Sequence, residues 1–590
     1  MAEFKNPQQE PGGDRRLLLV LMLTFLGFLV FQTLMRKYSP PPPAPQTQNQ
    51  PAPAPATAAP AAPARSAPAT AAPANTVFKQ ASAESKTVIE NDLYRITFSN
   101  QGAQVTSWIL KKFDNDAQNG ELDLVNPAAA QKYGYPLALW TYDPSLNGRL
   151  NSALYVASNE GHLSAPATIT FEYADQDRVV RKTFRFDHTY VVNVETSVVY
   201  KGAEIFAAPA WPAAFGDQVT PASYAAARID YHSDASTDRT AYIFPNFILR
   251  LPVKSVSGGN TIRGPFEWGG AGDQYFAALF IPDNPATAAM VTLRNPLQVP
   301  QKPGSNETSN VDVLGAAVGD LRGPTHERVY VGPKEIAVLD AVSVPTIRND
   351  NPDLHGTVDY GWWGIIARPL FLWLKWTHEH IVSNWGWAIV LQTLIITILL
   401  LPLRLTQMKS MLKMQRIQPQ IKAIQEKYKK YSLRDPRKAA MNEEVAALYK
   451  KEGVNPAGGC LPLLIQFPFL IAYYRMLGVA LDLRHAHWLW ITDLSARDPY
   501  FILPILMMVS MFAMQRMTPQ TGMDPAQQRM MNWMMPLMMG FIFFNLQAGL
   551  NLYYAETNLI SIAQQAIMNR TKLGREMREM MEKRARKKEK

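Results

Sequence analysis

Six long apolar segments constrain this chain more than any other feature of its sequence. The first, Leu17–Met35, contains no charged residue and lies between Arg16 and Arg36. About 19 residues at a rise of 1.5 Å each nearly cross a hydrocarbon core of roughly 30 Å. Because a cleaved signal peptide usually has a shorter apolar region, we predict an uncleaved anchor at 17–35, although the small residues that follow also offer cleavage sites.

The other five apolar segments lie in the last third of the chain. The predicted spans are Trp385–Leu403, Cys460–Leu477, Pro499–Met517, Met530–Leu546 and Gly549–Met568. Several contain proline, which a helix bundle tolerates where neighbouring helices satisfy the freed carbonyl groups. Six spans in total would place both termini, including the short segment 1–16, on the same side of a membrane.

The charge of the connecting loops predicts which side that is. The segment 404–451 and the tail 569–590 are strongly basic, whereas Gly478–Asp498 carries two arginines against three aspartates. Basic loops stay in the cytoplasm, so we predict a multi-pass protein of a bacterial inner membrane with cytoplasmic N- and C-termini. The net charge of +10 then reflects residues at the membrane edge, and we do not expect DNA to be a partner.

The region between the first two predicted spans has a different composition. Residues 36–75 are rich in proline and alanine, which is typical of an extended, semi-rigid spacer. From 76 to 345 apolar and polar residues alternate, as Tyr94, Ile96 and Phe98 illustrate. Such alternation, with turn residues between the runs, predicts antiparallel strands with one buried face. About 270 residues suffice for a large β-sandwich, which the predicted orientation places in the periplasm.

The segment 346–384 joins this domain to the second span. Its part Tyr360–Ile381 mixes four tryptophans with Arg368, Lys375 and His378. This composition favours an amphipathic helix lying in the outer membrane interface. A packed linker helix is the alternative.

The basic segment 404–455 has the spacing of two helices. Apolar residues recur at intervals of three and four, first at Met414, Ile417, Ile421, Ile424 and Tyr428, and after a turn at Tyr431–Pro436 again at Met441, Val445 and Leu448. This spacing gives each helix one apolar face and predicts a cytoplasmic helical hairpin. The basic residues of the hairpin and of the tail are suited to anionic lipid or to ribosomal RNA, which charge alone does not distinguish. The alternative is that these basic residues only face water and bind no partner.

Polar residues interrupt the predicted spans, where each is costly unless it meets a partner or a water-filled cavity. They are Gln392, Thr393 and Thr397 in the second span, Gln466 in the third, and Glu556, Thr557, Asn558 and Gln564 in the sixth. On a continuous helix, Thr393, Thr397 and Arg404 would share nearly one face. This indicates a polar cavity on the cytoplasmic side. Hydrogen bonds between helices without any cavity are the alternative.

The sequence contains no pattern typical of catalysis, cofactor binding or metal binding. It has neither a Walker loop nor a G-x-S-x-G motif, so neither nucleotide hydrolysis nor serine hydrolase chemistry is indicated. Cys460 is the only cysteine, so there can be no intramolecular disulfide and no cysteine metal cluster. We therefore expect a protein that is not an enzyme.

Several motifs resemble those of YidC-type membrane protein insertases, in the Gram-negative form with a large periplasmic domain. In the membrane region they are Asn455–Pro462 with Gln466 and Pro468, Trp490–Ser495 with Asp498–Tyr500, and Gly549, Leu550, Leu552, Tyr553, Tyr554, Asn558 and Leu559. In the middle domain they are Phe98–Ala103, Asp273–Phe276 and Val331–Lys334.

The resemblance implies a five-helix insertase core at 385–568 behind the N-terminal anchor, and a periplasmic β-supersandwich like that of galactose mutarotases. It also implies a hydrophilic groove, open to the cytoplasm and to lipid, that receives the polar segment of a nascent inner-membrane protein. The client's apolar helix then slides into the bilayer. Such insertases act alone or with the Sec translocon, and the ribosome is an expected partner through the hairpin and the tail.

The candidate groove residues combine the polar positions with the resemblance. They are Gln392, Thr393, Thr397, Arg404, Gln466, Tyr554, Glu556 and Asn558. Thr393 and Tyr554 fall where family members meet the client helix. The family commonly has an arginine five residues before the pair Pro402-Leu403, where this chain has Thr397. We therefore expect Arg404 either to supply positive charge at the mouth of the groove or to serve only as a membrane-edge anchor.

Two other classes of function can be distinguished from an insertase. A transporter or channel with a periplasmic receptor domain would have polar residues through the full membrane depth, and often an internal repeat. The outer halves of these spans are apolar and no repeat is visible. A membrane-tethered carbohydrate enzyme would need paired acid and base residues on the sandwich, and the sequence shows no such pair.

Overall fold

The computed structural model describes residues 78–233, 249–302, 304–344, 354–428, 431, 437–453, 461–517, 525–571 and 575. The predicted anchor at 17–35, the spacer at 36–75, Cys460 and nearly all of the tail lie outside these ranges. The described residues belong to two compact units, one ending at Val358 and the other beginning at Asp359.

The first unit is built mainly from β-strands. The strands are β1 Lys86–Glu90, β2 Tyr94–Ser99, β3 Gln104–Asp114, β4 Glu121–Asp123, β5 Ala138–Trp140, β6 Val156–Ala157, β7 Gly161–Ser164, β8 Ala167–Ala174, β9 Arg178–Phe186, β10 Val191–Tyr200, β11 Ala203–Glu204, β12 Ala208–Trp211, β13 Arg228–Ser233, β14 Leu249–Pro252, β15 Asn260–Arg263, β16 Phe266–Gly272, β17 Phe276–Pro282, β18 Ala288–Pro300, β19 Thr308–Asp320 and β20 Thr325–Pro333. Short helices lie between them: α1 Pro127–Tyr133, α2 Pro144–Ser152, α3 Pro221–Tyr224 and α4 Ile336–Asp340.

These strands form three sheets. A ten-stranded sheet has the order β14-β13-β16-β17-β20-β10-β9-β8-β6, with β11 paired to β10. Two five-stranded sheets have the orders β4-β3-β2-β1-β7 and β15-β18-β19-β12-β5. Aromatic contacts join the sheets: Phe98 of β2 lies 5.7 Å from Phe171 of β8, and Trp108 of β3 lies 6.2 Å from Trp211 of β12, measured between ring centroids.

The predicted alternation of buried and exposed residues is confirmed in the strands. Tyr94, Ile96 and Phe98 are completely buried, and the intervening Arg95 and Thr97 are partly exposed. Ile169, Phe171 and Tyr173 in β8 are also buried, as are Val192, Val194, Thr196 and Val198 in β10. Side chains two apart on a strand point to one face, so the pattern places these residues in the core of the β-sandwich.

The motif Phe98–Ala103 has a structural role in this unit. Gly102 has a φ of +69°, and a Cβ atom there would lie 2.4 Å from the carbonyl oxygen of Asn151. The buried Lys182 donates from Nζ to the carbonyl oxygens of Gly102, Ala103 and Leu137 at 3.1, 2.6 and 2.6 Å. Burial lowers the pKa of Lys182 to about 7. The motif is therefore a packed turn held by a buried lysine.

The second unit is helical. Its helices are α5 Gly364–His380, α6 Trp385–Leu399, α7 Leu401–Lys427, α8 Arg437–Lys451, α9 Leu461–Val479, α10 Ile502–Met517, α11 Pro525–Phe543 and α12 Ala548–Arg570. No single helix in the described ranges is both long and apolar enough to cross a membrane, whereas α5 and α6, bent by 120° at their junction, pass that test together. The count of six spans stays a prediction.

The second predicted span, Trp385–Leu403, is interrupted. Helix α6 ends at Leu399, and a new helix, α7, begins at Leu401 with Pro402 in its first turn. Proline has no amide hydrogen and its ring clashes with the carbonyl four residues earlier, so it is tolerated in a first turn and not in a helix interior. Arg404 therefore belongs to α7 and not to α6, and its alignment with Thr393 and Thr397 on nearly one face stays a prediction.

The predicted hairpin is confirmed as a pair of packed helices. Ile417 and Ile421 of α7 are buried together with Met414 against Val445, Leu448 and Tyr449 of α8. Tyr428 donates its hydroxyl to Glu444 at 2.6 Å, and Lys427 donates to the same carboxylate at 2.8 Å. The three-four spacing thus identified the contact face correctly.

The amphipathic helix predicted within Tyr360–Ile381 corresponds to α5. It buries Leu370, Phe371 and Leu374, whereas Ile365 is 84% exposed and Trp376 is 50% exposed. Lys375 pairs with Asp482, which follows α9, at 3.2 Å. One apolar face packs inward while other apolar side chains remain uncovered, which suits a helix at a membrane interface.

Candidate functional site

Gln392 lies at the junction of three helices in the second unit. It is completely buried on α6. Its Nε2 donates to the carbonyl oxygen of Leu370 on α5 at 3.0 Å, and its Oε1 accepts from the hydroxyl of Tyr473 on α9. The amide therefore ties α6 to both neighbours, as an expensive polar group in an apolar span requires.

Thr393 and Thr397 lie next to this glutamine and are also buried. Each hydroxyl donates to the carbonyl oxygen four residues earlier, Thr393 to Ile389 and Thr397 to Thr393, both at 2.7 Å. This back-bonding satisfies a hydroxyl inside a helix. At these two positions the hydroxyls bond within α6 itself, which is neither of the two arrangements predicted from the sequence, a polar cavity or hydrogen bonds between helices.

Helix α12 brings a carboxylate to the same place. The side chain of Thr393 interacts with the carboxyl of Glu556 and with the phenol of Tyr473. The rings of Tyr473 and Tyr553 stack with their centroids 4.1 Å apart. We call Gln392, Thr393, Tyr473, Tyr553 and Glu556 the polar cluster. It joins α6, α9 and α12.

Several polar atoms of α12 are buried without a hydrogen-bond partner among the described residues. They are Asn551 Oδ1, Glu556 Oε2, Asn558 Nδ2 and Gln564 Oε1. By contrast, Thr557 and Ser561 donate to backbone carbonyls of their own helix. Buried polar atoms are usually paired, so these atoms have hydrogen-bonding capacity left for water or a polar ligand. Glu556 and Asn558 are two positions apart on a helix of 3.6 residues per turn and therefore lie on different faces of α12.

The other candidate residues have different positions. Tyr554 is half-buried and its ring lies 5.0 Å from that of Phe543 on α11. Arg404 is half-buried on α7. Within the described residues, no hydrogen bond joins either of them to the polar cluster. Gln466 belongs to α9, and its side chain is outside the described part.

Two members of the polar cluster were not predicted as site residues. Tyr473 and Tyr553 are both buried, at 0% and 2% exposed, and Tyr473 supplies the hydrogen bond to Gln392. Their signal in the sequence is a hydroxyl-bearing aromatic residue within an otherwise apolar segment. That signal is weak, because tyrosine is also frequent at membrane interfaces.

Two family models match consecutive parts of the chain. The model described as YidC periplasmic domain matches residues 86–373, and the model described as 60Kd inner membrane protein matches residues 376–575. The membrane protein insertase YidC of Syntrophus aciditrophicus is 30% identical over 94% of this chain and 99% of its own length. The chain belongs to the YidC family of membrane protein insertases.

Other relatives agree with this assignment. The YidC insertase of Haemophilus influenzae strain KW20 is 32% identical, over 94% of this chain and 97% of the relative. Among solved structures, an active YidC insertase with its first transmembrane domain resolved is 18% identical, with a TM-score of 0.33, and the match covers 84% of this chain and 95% of that one. Because a TM-score of 0.33 is low, the family assignment rests on the family models and the sequence relatives and not on this structure.

Family membership places this chain in the inner membrane with a periplasmic domain, which is the β-sandwich unit described above. The two family models meet between residues 373 and 376, inside α5. The predicted domain boundaries at 345 and 385 lie on either side of that point. A transporter or channel is not favoured, since the relatives carry the name of an insertase.

Proposed function

We propose that this chain inserts client proteins into the inner membrane and that the polar cluster forms part of the surface receiving the client's polar segment. The observation that carries the proposal is the convergence of Gln392, Thr393, Tyr473 and Glu556 from three otherwise apolar helices. Intramembrane polar residues are expensive and are retained where they serve a pathway or a binding surface.

The physical basis of insertion follows from this arrangement. A polar segment that enters a hydrocarbon core without partners loses its hydrogen bonds to water, which is strongly unfavourable. Amide, hydroxyl and carboxylate groups within the bundle replace part of that hydration. Burial of the client's own apolar helix in lipid then supplies the driving force. No nucleotide is required for such a process.

The proposed topology has six spans with both termini in the cytoplasm. Lys450 and Arg516 are then cytoplasmic, whereas Lys334 and Asp493 are periplasmic. This follows from the basic loops. Single cysteines at these positions, in a background with Cys460→Ser, can be labelled with an impermeant reagent in spheroplasts. Labelling at 450 from outside would refute the topology.

The hairpin and the tail are proposed contacts for the translating ribosome, and the Sec translocon is a proposed partner for larger clients. Within α7 and α8 the packed apolar face leaves basic residues exposed, among them Lys413, Arg416, Lys422 and Lys450. Exposed lysines and arginines bind phosphate groups of RNA or of anionic lipid. Ribosome binding by the intact chain in neutral detergent would distinguish RNA from lipid as the ligand.

Arg404 is proposed to supply positive charge at the cytoplasmic mouth of the site. Arg404 lies on α7, and the interruption at Leu400 separates it from Thr393 and Thr397 on α6. A long arginine side chain can lie along an apolar wall while its guanidinium stays hydrated. Arg404→Ala should then slow insertion and Arg404→Lys should retain it. Equal rates for Arg404→Ala and the natural chain would leave Arg404 as a membrane-edge residue.

The function is tested by complementation in the native bacterium. Depletion of the natural protein should block insertion of small inner-membrane proteins, and the plasmid-borne natural chain should restore it. A variant combining Gln392→Leu with Thr393→Val should restore it poorly at the same protein level. Exposed positions on the same helices serve as controls, with Leu394→Val and Tyr474→Phe expected to complement fully. Full complementation by the cluster variant would contradict the proposed role of the polar cluster.

A further inference from the structure

Three aromatic side chains form a partly exposed cluster on the β-sandwich unit. The ring centroids of Trp140 and Tyr142 lie 4.9 Å apart, and the ring of Phe206 lies 5.3 Å from that of Tyr142. Tyr142 is 56% exposed, and the other two side chains are partly exposed. We call these three residues the aromatic platform. Because the sandwich lies in the periplasm, lipid does not cover the platform, and exposed aromatic groups of this kind mark a contact surface.

The platform is held in position by its neighbours. Trp140 and Phe206 pack on small residues of the sheet beneath them, among them Ala208 of β12. The hydroxyl of Tyr142 lies 3.1 Å from Oγ1 of Thr261, within hydrogen-bonding distance. Among the described residues, no acceptor receives a hydrogen bond from the indole nitrogen of Trp140. The rings are therefore fixed before binding, which lowers the entropic cost of a contact, and Trp140 keeps a donor for its partner.

Strand β5, which carries Trp140, is closed to the addition of a further strand. It lies at the edge of its sheet, but Asn151 of α2 accepts from the amide of Leu139 and donates to its carbonyl oxygen, both at 2.8 Å. Asn147 makes the same pair of bonds with Thr141 at 2.7 and 3.1 Å. The outward backbone groups of these two residues are thus occupied, so a partner has to bind through the rings.

A proline-rich segment has the chemistry that matches such a surface. A polyproline II helix makes no internal hydrogen bonds and leaves its carbonyl groups free to accept from a donor such as an indole N–H. Grooves lined with aromatic side chains recognise these segments, because the preformed helix loses little entropy on binding. The chain carries such a segment itself. Residues 40–75 are mostly proline and alanine, with Arg65 as the one charged residue.

This segment joins the sandwich close to the platform. The amide of Ala81 donates to the carbonyl oxygen of Leu154 at 3.1 Å. Leu154 lies three residues after Asn151, a distance of at most about 11 Å. Asn151 in turn bonds to Leu139, the residue before Trp140. Residues 40–81 span far more than this distance when extended, so the proline-rich segment is long enough to reach the rings.

We propose that the aromatic platform binds the proline-rich segment 40–75 of its own chain. A tethered segment has an effective concentration on the order of millimolar, so a contact that is weak between separate molecules is well populated within one chain. Docking shortens the free part of the spacer between the predicted anchor and the sandwich. The inference does not depend on the proposed insertase function.

The test measures the accessibility of the platform in the full chain, held in lipid nanodiscs. Hydroxyl-radical labelling read by mass spectrometry reports on Tyr142, and Tyr500, which is 67% exposed, is the internal control. In one variant a glycine–serine segment of equal length replaces 40–75. In a second variant alanine replaces every proline of that segment. Both variants keep the length of the spacer and remove its polyproline character.

Labelling of Tyr142 should rise roughly two- to fivefold in both variants, as expected on loss of a tethered contact of millimolar strength. Labelling of Tyr500 should not change. A synthetic peptide of residues 40–75, added at millimolar concentration to the glycine–serine variant, should restore the protection of Tyr142.

Two results would overturn the inference. Equal labelling of Tyr142 in the natural chain and in both variants would show that segment 40–75 does not cover the platform. Protection of Tyr142 that disappears when the natural chain is diluted would show that a second copy covers it, and the contact within one chain would be refuted.

Discussion

The rings of Tyr473 and Tyr553 stack nearly parallel, with planes 13° apart and centroids separated by 4.1 Å. Tyr473 also donates its hydroxyl to Gln392. One residue of α9 therefore contacts α12 through its ring and α6 through its hydroxyl. Both contacts are buried, so the two tyrosines align the helices that contribute the polar side chains of the site.

Removal of the Tyr473 hydroxyl should destabilise the helical unit. Tyr473→Phe keeps the ring stack and leaves Gln392 Oε1 buried without this donor, which costs about 1–3 kcal/mol. We expect a lower midpoint of thermal unfolding in detergent and slower insertion. Tyr474→Phe is the matched control, since the Tyr474 side chain is 42% exposed. Equal midpoints for the two variants would contradict the role assigned to Tyr473.

The stability of the hairpin should depend more on its buried apolar face than on the ion pair between Lys427 and Glu444. Ile421→Ala removes a side chain that is 7% exposed and should loosen the packing of α7 against α8 by about 2 kcal/mol. Hydrogen exchange of residues 414–428 and 445–449 should become faster. Lys427→Ala, which removes the exposed ion pair with Glu444, should change exchange little, because exposed ion pairs contribute little to stability. Protection that survives Ile421→Ala would show that the packed face does not hold the hairpin together.

The β-sandwich unit should lose stability in acid through Glu90. Hydrogen bonds from His162 and Lys111 lower the pKa of this carboxyl from 4.5 to about 2. The unfolded state thus binds its proton at higher pH than the folded state, so the stabilisation is complete above about pH 4.5 and is lost as the pH falls toward 2. Glu90→Gln should remove this part of the pH dependence. If the urea midpoints of the natural chain and of Glu90→Gln fell equally between pH 5 and 2.5, Glu90 would not be the source of this acid destabilisation.

The boundaries of the β-sandwich unit affect any truncation. We predict that most of this unit is dispensable for insertion, but a deletion of 76–320 would keep β20, which lies between β17 and β10 in the ten-stranded sheet. A strand with two unpaired edges favours aggregation. A deletion of 76–344 should therefore accumulate to a higher level and complement depletion better. Better complementation by the shorter deletion would contradict this expectation.

Local periodicity explains which parts of the fold could be predicted. Alternation in β2, β8 and β10 identified buried faces because side-chain direction in a strand depends only on position along the chain. The spacing of Ile417 and Ile421 identified the hairpin contact for the same reason. The interruption at Leu400 was missed because prolines within spans were treated as tolerated, whereas Pro402 begins a new helix.

The candidate site was predicted in part. Gln392, Thr393 and Glu556 were identified as polar residues in apolar segments, and the structure brings them together. Their partners could not be predicted, since the pairing of Tyr473 with Gln392 depends on which helices meet. The hydroxyls of Thr393 and Thr397 bond within α6, and periodicity alone cannot distinguish that arrangement from exposure to a cavity.

The most direct test of the account is insertion by the purified chain alone. The full chain is reconstituted into liposomes, a small single-span client is added, and protease protection measures the inserted fraction. We predict insertion well above that of protein-free liposomes, and a marked loss with Gln392→Leu combined with Thr393→Val but not with Tyr474→Phe. Insertion no greater than in protein-free liposomes, with the chain folded in the bilayer, would contradict the central claim.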